Sequence, residues 1–336
     1  MAAPSPGRPG ARMGRELARG HPGRYRTHMP SDTRRALAGA VAALALLPSP
    51  SLACSVCGCG DPLLVSSDPA AITGTLRLQL DSEFLSVTAG SESEPGMTDH
   101  LDQASLRLNA VYRPIDALSL SATLPWTSKT MRLLGGPVPE TTSDLAGLGD
   151  VEIGARWAAW RRVDLGTGQV HELAVSAGTS LPTGANGAVD ASGVRIDEHG
   201  QLGSGSWGPF AGVHYRYEVG RWVSAASLSG RVHSANGAGY TYGAALLWSV
   251  HGQYQPARWV VLDLGVDGRD ARADEEDGAT VGNTGGAVVS AAPGVYLNPT
   301  GGLWVFARGQ VPVYRDLLGE QQVRPVVVVG LQYSLL

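Results

Sequence analysis

An all-β fold, a transmembrane antiparallel up-and-down β-barrel of about twelve strands of the outer-membrane type, is what this sequence predicts, and three observations predict it. From about residue 72 onward the chain is a succession of short segments in which apolar and polar residues alternate, the period-two pattern of strands with one greasy and one wet face. The connections between them alternate short and long, as in barrels whose turns lie on one side of a membrane and whose loops lie on the other. Charged residues make up only 17% of the 336 residues and Gly is frequent at 45, against roughly 25% charged residues in soluble domains.

The N-terminal region precedes the alternation and reads as an export signal over residues 1–53. Residues 1–28 are rich in Pro, Gly and Arg; they fit either an over-extended gene start, with Met29 the true start, or a long basic n-region. Arg34 and Arg35 supply positive charge, Ala36 to Leu47 an apolar run, and Ser51 with Ala53 the small residues before a cleavage expected just ahead of Cys54. The apolar run is too short to span a bilayer, and no run of eighteen apolar residues follows it, so no mature transmembrane helix is expected. The net charge of -4 becomes more negative once the Arg-rich signal is removed, which argues against a nucleic-acid partner.

The barrel is expected over residues 72–336. In its first strand Leu76, Leu78, Leu80 and Phe84 oppose Arg77, Gln79, Asp81 and Glu83; in the second Leu106, Leu108, Ala110 and Tyr112 oppose Ser105, Arg107, Asn109 and Arg113. The turn 114–117 leads into a third, where Leu118, Leu120, Ala122, Leu124 and Trp126 oppose Ser119, Ser121 and Thr123. Weaker alternation marks strands near 150–162, 171–181, 206–217, 222–233, 241–255, 259–269, 285–297, 303–314 and 324–336. Most reach the nine to eleven residues that a tilted membrane strand needs. Short turns fall near 114–117, 163–169, 218–221, 256–258 and 298–302, and longer loops near 89–101, 128–147, 182–205, 234–240, 270–284 and 315–323. An even strand count then places both termini in the periplasm.

Tyr112, Trp126, Trp157, Tyr215, Tyr217, Trp222, Tyr254, Trp259, Tyr296, Trp304 and Tyr333 lie close to strand ends, where amphipathic rings favour the level of the lipid headgroups. The alternation aims Arg77, Asp81, Glu83, Arg107, Arg113, Glu152, Arg156, His214, Arg216, Arg231, His233, His251, Asp263, Asp267, Arg269, Arg308 and Gln310 at the lumen. Both signs on neighbouring strands suggest ion-paired walls rather than a ring of one sign. His214, His233 and His251 sit on successive strands and could form a three-imidazole metal site, a simple polar lining being the plainer reading. The 182–205 loop and the acidic stretch 271–278 are candidates for gating or surface capture, with a solvated loop the blander role.

GLGDVEIGARW at 147–157, LPW at 124–126, SLPTG at 180–184 and QVPVYRDLLGEQQVRPVVVVGLQYSLL at 310–336 together resemble the family of outer-membrane transporters named for the meta pathway of phenol degradation. The resemblance implies a barrel of the fatty-acid-channel type that passes small, often aromatic or hydrophobic, molecules. It supplies no catalytic residues, and Leu336 stands where such barrels commonly end in an aromatic. Gly147, Gly149 and Asp150 read as the lead-in to a strand, with Asp150 bonding its own backbone.

Between signal and barrel, the segment 54–71 holds all the cysteines, Cys54, Cys57 and Cys59. Cys54 could be lipidated; three thiolates at this spacing could hold a soft ion such as Cu or Zn, a partner completing the set; or the segment could carry a disulfide and a spare thiol. The expected function is an outer-membrane, porin-like channel or transporter for a small-molecule solute. Its expected surroundings are outer-membrane lipid and the outer-membrane insertion machinery. The alternative is a structural barrel that serves a periplasmic protein partner in metal or electron transfer through the Cys cluster. No paired Ser, His and acid positions suggest an enzyme.

Overall fold

A computed structural model describes residues 75–90, 98–135 and 140–335. Its strand segments are β1 Leu76–Gly90, β2 Thr98–Ile115, β3 Leu118–Leu134, β4 Thr141–Leu148, β5 Glu152–Asp164, β6 Gln169–Ser180, β7 Gly208–Val219, β8 Trp222–Arg231, β9 Tyr240–Thr241, β10 Ala245–Ala257, β11 Val260–Ala271, β12 Glu275–Glu276, β13 Ala279–Thr280, β14 Gly286–Thr300, β15 Leu303–Leu317, β16 Gln321–Val323 and β17 Val326–Leu335. Each long strand pairs antiparallel with its sequence neighbours, and β1 pairs with both β2 and β17, so the sheet closes on itself. With β4 running on into β5, and β16 into β17, the segments form a closed barrel of twelve strands. Along the middle of the wall each strand pairs on both sides, the condition for a β-structure to cross hydrocarbon, whereas β4 and β16 at the long-loop end pair with β3 and β1 alone among the described residues. β9, β12 and β13 form a separate small sheet above the barrel at its long-loop end.

The alternation aims side chains as the sequence pattern indicates. Leu78, Leu80, Leu106, Leu108, Leu124, Ile153, Val213, Leu228, Leu264 and Val329 are exposed on the outer wall, whereas Asp81, Glu83, Arg107, His251, Asp263 and Arg308 are buried within. Such an outer surface is stable only against lipid. Tyr112, Trp126, Trp157, Tyr215, Trp222, Trp259 and Tyr333 are exposed outward, and the Trp222 and Tyr254 rings pack at a tilt with centres 4.5 Å apart. Tyr296 and Trp304 depart from the expected girdle. Both face inward and pack with Phe306, Val261 and Val328 into an apolar cluster on the inner wall, because they share the inward register of Ser290 and Arg308 on β14 and β15.

The first three strands are 15, 18 and 17 residues long. At roughly 3.3 Å per residue that is about 50–60 Å, well beyond the ~30 Å of a hydrocarbon core. The excess lies at the long-loop end, and there the polarity inverts. Leu85, Val87 and Leu101 are buried inside the barrel while Ser86, Thr88 and Asp102 face out, with Val87 opposite Leu101 and Leu101 opposite Met131. The outer face carries a bonded polar row, Thr88 to His100 at 3.0 Å and His100 to Asp102 at 3.2 Å, with Arg132 3.6 Å from Asp102. Above Phe84 and Trp126 the wall is therefore a water-facing collar whose inner face carries Leu85, Val87 and Leu101 beside the polar Gln103 and Lys129. The expected loop at 128–147 is mostly strand, β3 and β4. Its hydrophobic pattern is hidden because the apolar residues change faces where the wall leaves the lipid.

Inside, charges are paired across strands. Arg107 on β2 donates to Asp81 at 2.7 Å and to Glu83 at 2.9 Å on β1, and Asn109 donates to Asp81. All three charged groups are nearly inaccessible; removing Arg107 would take the cation from two buried carboxylates, a cost of about 3–5 kcal/mol. On the opposite wall His251 lies between Asp263 and Asp267, and Gln310 donates to Asp267. These contacts stiffen the wall through residues that the lumen-facing register supplies.

Candidate functional site

The chain between β6 and β7, residues 181–207, does not stand out in solvent. It folds back over the lumen as a roof. Lys129, inward on β3 and buried, donates to the backbone oxygens of His199 and Gln201, and Tyr242 donates to the oxygen of Glu198 at 3.2 Å. Gln201 organises the fold of the roof itself: its Oε1 accepts from the backbone N–H groups of Gly187 and Ala188, and its Nε2 donates to the oxygens of Ala188 and Ile196. A side-chain amide so fully used is a structural pin, since each of its groups would otherwise be buried without a partner. Asn186 ties Glu198 to Gly203, and Arg195 pairs with Glu198.

The neck of the roof hangs on Asp150, in the break between β4 and β5. One carboxylate oxygen accepts from Gly184 N–H at 2.9 Å, and the other accepts from Ser204 N–H at 2.7 Å and Ser204 Oγ at 2.6 Å. The reading in which Asp150 bonds its own backbone is thereby corrected: it clamps two chains that are distant in sequence. The chains cross so closely that a Cβ on Gly184 would lie 2.6 Å from the Cα of Gly203, which requires Gly at both positions.

A latch joins the roof to the neighbouring loops. Asp274, fully buried, accepts from Tyr240 Oη at 2.7 Å and from Gly243 N–H at 2.7 Å, and lies 3.3 Å from His199 Nε2. Tyr240 and Tyr242 meet the His199 ring edge-on at 6.1 and 6.0 Å. Burial on its own would lower the His199 pKa; the Asp274 bond and the charges of Asp197 and Asp274 outweigh it and hold it at about 9. Asp274 is likewise held below the ordinary carboxylate range, burial opposing and the bonds from His199, Gly243 and Tyr240 prevailing. Because the folded His199 pKa is raised, its contribution is fully present below the unfolded value of about 6.5 and is lost as pH rises through about 9. Asp274 contributes above its unfolded value and loses that contribution as pH falls through its lowered one. Protease cleavage within 181–207 of the folded protein is therefore expected to be slow at pH 7 and faster at pH 10; equal rates at both would sink the latch.

Two chambers lie beneath the roof. The outer, about 90 Å³, is bounded by Glu198, Gln201 and Ser204 of the roof and by Arg107, Lys129 and Arg231 of the wall. The inner, about 180 Å³, lies toward the short turns and is lined by Arg113, Arg156, Ser121, Phe210 and His214. Thr123 and Glu152 border both. Glu152 is ion-paired to Arg231, whose guanidinium lies 5.1 Å from the Phe210 ring centre. Small solutes alone fit such spaces, since pockets for drug-sized ligands hold roughly 300–1,000 Å³.

Several expectations change at this level. The three-imidazole site does not form: His214 bonds Ser176, His233 bonds Ser206 and His251 bonds two Asp residues. Among the described residues no group of three or more His, Cys, Asp or Glu is arranged to hold a metal. Cys54, Cys57 and Cys59 lie outside the described residues. The acidic stretch 271–278 divides: Asp274 is buried in the latch, while Glu275 and Glu276 are exposed on β12. The sequence reading missed Lys129, His199, Gln201 and Tyr240. Only Lys129, a cation in a Ser/Thr-rich stretch, left a trace in the pattern.

The fold has known counterparts. An outer-membrane channel from Pseudomonas putida F1 superposes with a TM-score of 0.57 at 14% identity, over 79% of this chain and 98% of that one. This chain has the fold of an outer-membrane β-barrel. The translocator domain of the autotransporter NalP from Neisseria meningitidis gives a TM-score of 0.45 at 12% identity, over 90% of this chain and 98% of that one. The β domain of the Bordetella autotransporter BrkA gives 0.45 at 11%, over 77% and 99%. No family model and no curated protein matches the sequence.

Proposed function

We propose that the chain is a passive channel of the bacterial outer membrane that admits small solutes through a roofed, polar lumen. The observation that carries this reading is the pair of adjoining chambers beneath an inward-folded, internally bonded loop. A barrel built only as scaffold would need neither. In this reading the long-loop end faces outward, both termini are periplasmic, residues 1–53 are the export signal, and the outer wall lies in outer-membrane lipid after delivery by the insertion machinery. The motif resemblance to the transporters named for phenol degradation supports small and partly apolar solutes, and the fold shared with the solved outer-membrane channel from P. putida supports a channel. The segment 54–71, with Cys54, Cys57 and Cys59, remains a second proposal as a contact for a periplasmic metal- or electron-transfer partner.

Purified barrel in planar bilayers is expected to give discrete unitary currents of small size. A protein that is folded by heat-modifiable mobility but passes no current at any voltage would overturn the channel reading.

A further inference from the structure

The two chambers differ in charge. The outer lining carries Arg107, Lys129, Arg231 and Arg269 against Glu83, Asp150, Glu152 and Glu198, an even balance. The inner lining carries Arg77, Arg113, Arg156 and Arg216 against Glu152 alone. Glu172 pairs with Arg156 and Glu218 with Arg216, both at 2.7 Å, and Arg231 pairs with Glu152. When these partners are included, the inner chamber still holds more cations than anions. The Arg156 and Arg216 pairs are partly solvent-exposed, so they are weak and readily exchanged for another carboxylate. Arg113 has no ion pair among the described residues and borders the chamber directly.

Beside these guanidinium groups lie Phe210, Val111 and Ala225. A planar fork of N–H donors matches a carboxylate in two parallel bonds, and the apolar side offers a surface for a ring. The geometry points to the inner chamber as a selectivity site for small organic carboxylates with an apolar body, Arg113 and Arg156 gripping the carboxylate and Phe210 the ring. This inference rests on the channel reading for its transport role but concerns a binding site that can be tested without current.

Benzoate is the probe. Calorimetric titration of the detergent-purified full-length barrel with benzoate should show saturable binding, weakened roughly tenfold by Arg113→Gln and by Arg156→Gln, the scale of one charge-assisted bond. Phenol and inorganic phosphate at matched ionic strength should bind more weakly than benzoate. In bilayers with a KCl gradient the reversal potential should show chloride preference, reduced by either substitution and by Ser121→Glu, which adds a carboxylate to the same wall. Absent benzoate binding, tighter phosphate than benzoate binding, or an unchanged reversal potential in folded variants overturns the assignment. Benzoate binding without any current would overturn the channel reading and leave the site standing.

Discussion

Excising residues 186–202 and joining Ala185 to Gly203 is expected to raise unitary conductance severalfold while leaving the barrel folded. The ends to be joined are already neighbours: Gly203 N–H donates to Ala185 O at 3.0 Å. The removed segment contains the roof's own bonds and those from Lys129 and Tyr242, but contributes no strand of the closed sheet. What remains above the chambers is the collar with the small sheet of β9, β12 and β13 and the Gly203–Ser204 neck, and a pore's resistance is set mainly by its narrowest section. Lys129 would be left without its carbonyl acceptors, which water in the widened mouth can replace. Unchanged conductance in the excised protein would mean that the roof is not the constriction.

Asp150→Ala is expected to have the next largest effect, on order within the roof. It removes three bonds to an ionised carboxylate that hold both chains of the neck. Hydrogen bonds to charged groups contribute about 1.5–3 kcal/mol each, less where water can compete, so a loosening of about 2–4 kcal/mol follows for the neck as a whole. The wall beside it should survive, because β5 keeps its pairing with β3 and β6. Single-channel records should show increased open-state noise, and protease should cut within 181–207 faster than in the unaltered protein. Asp150→Asn, which keeps one acceptor, should fall between the two. Identical cleavage rates in all three proteins would refute the clamp.

The barrel was legible because period-two alternation is a local property: each strand states its own two faces, as Leu76 to Phe84 does against Arg77 to Glu83. The number of strands and the alternation of loop lengths followed from the same signal. What alternation cannot express is a change of medium along one strand. At Leu85 and Val87 the apolar residues switch to the inside, so the collar read as loop, and Tyr296 and Trp304 read as girdle residues when their register turned them inward. The roof was invisible for a different reason. His199, Tyr240 and Asp274 meet from three separate loops, so no spacing within one loop encodes their contacts, and Gln201 pins backbone of its own loop up to 14 positions away, beyond the reach of any turn signature. Asp150 and Gly184 were noticed as motif residues, but a partner 34 or 54 positions away is not readable from a turn signature.

The closure between β1 and β17, which runs from Leu76 opposite Leu335 to Phe84 opposite Val327, sets the order of events during assembly. The first strand waits for the last to be made, about 250 residues later, and contacts that distant in sequence form slowly. Until the two meet, β1 is a bare edge flanked by exposed Leu78, Leu80 and Phe84, and β17, once made, is another, flanked by Val327, Val329 and Leu331. Two unfinished chains could zip to each other through these same edges. Productive assembly of this protein is thus a race between joining its own ends and joining a neighbour's, and anything that shelters the β1 edge until β17 arrives decides the yield.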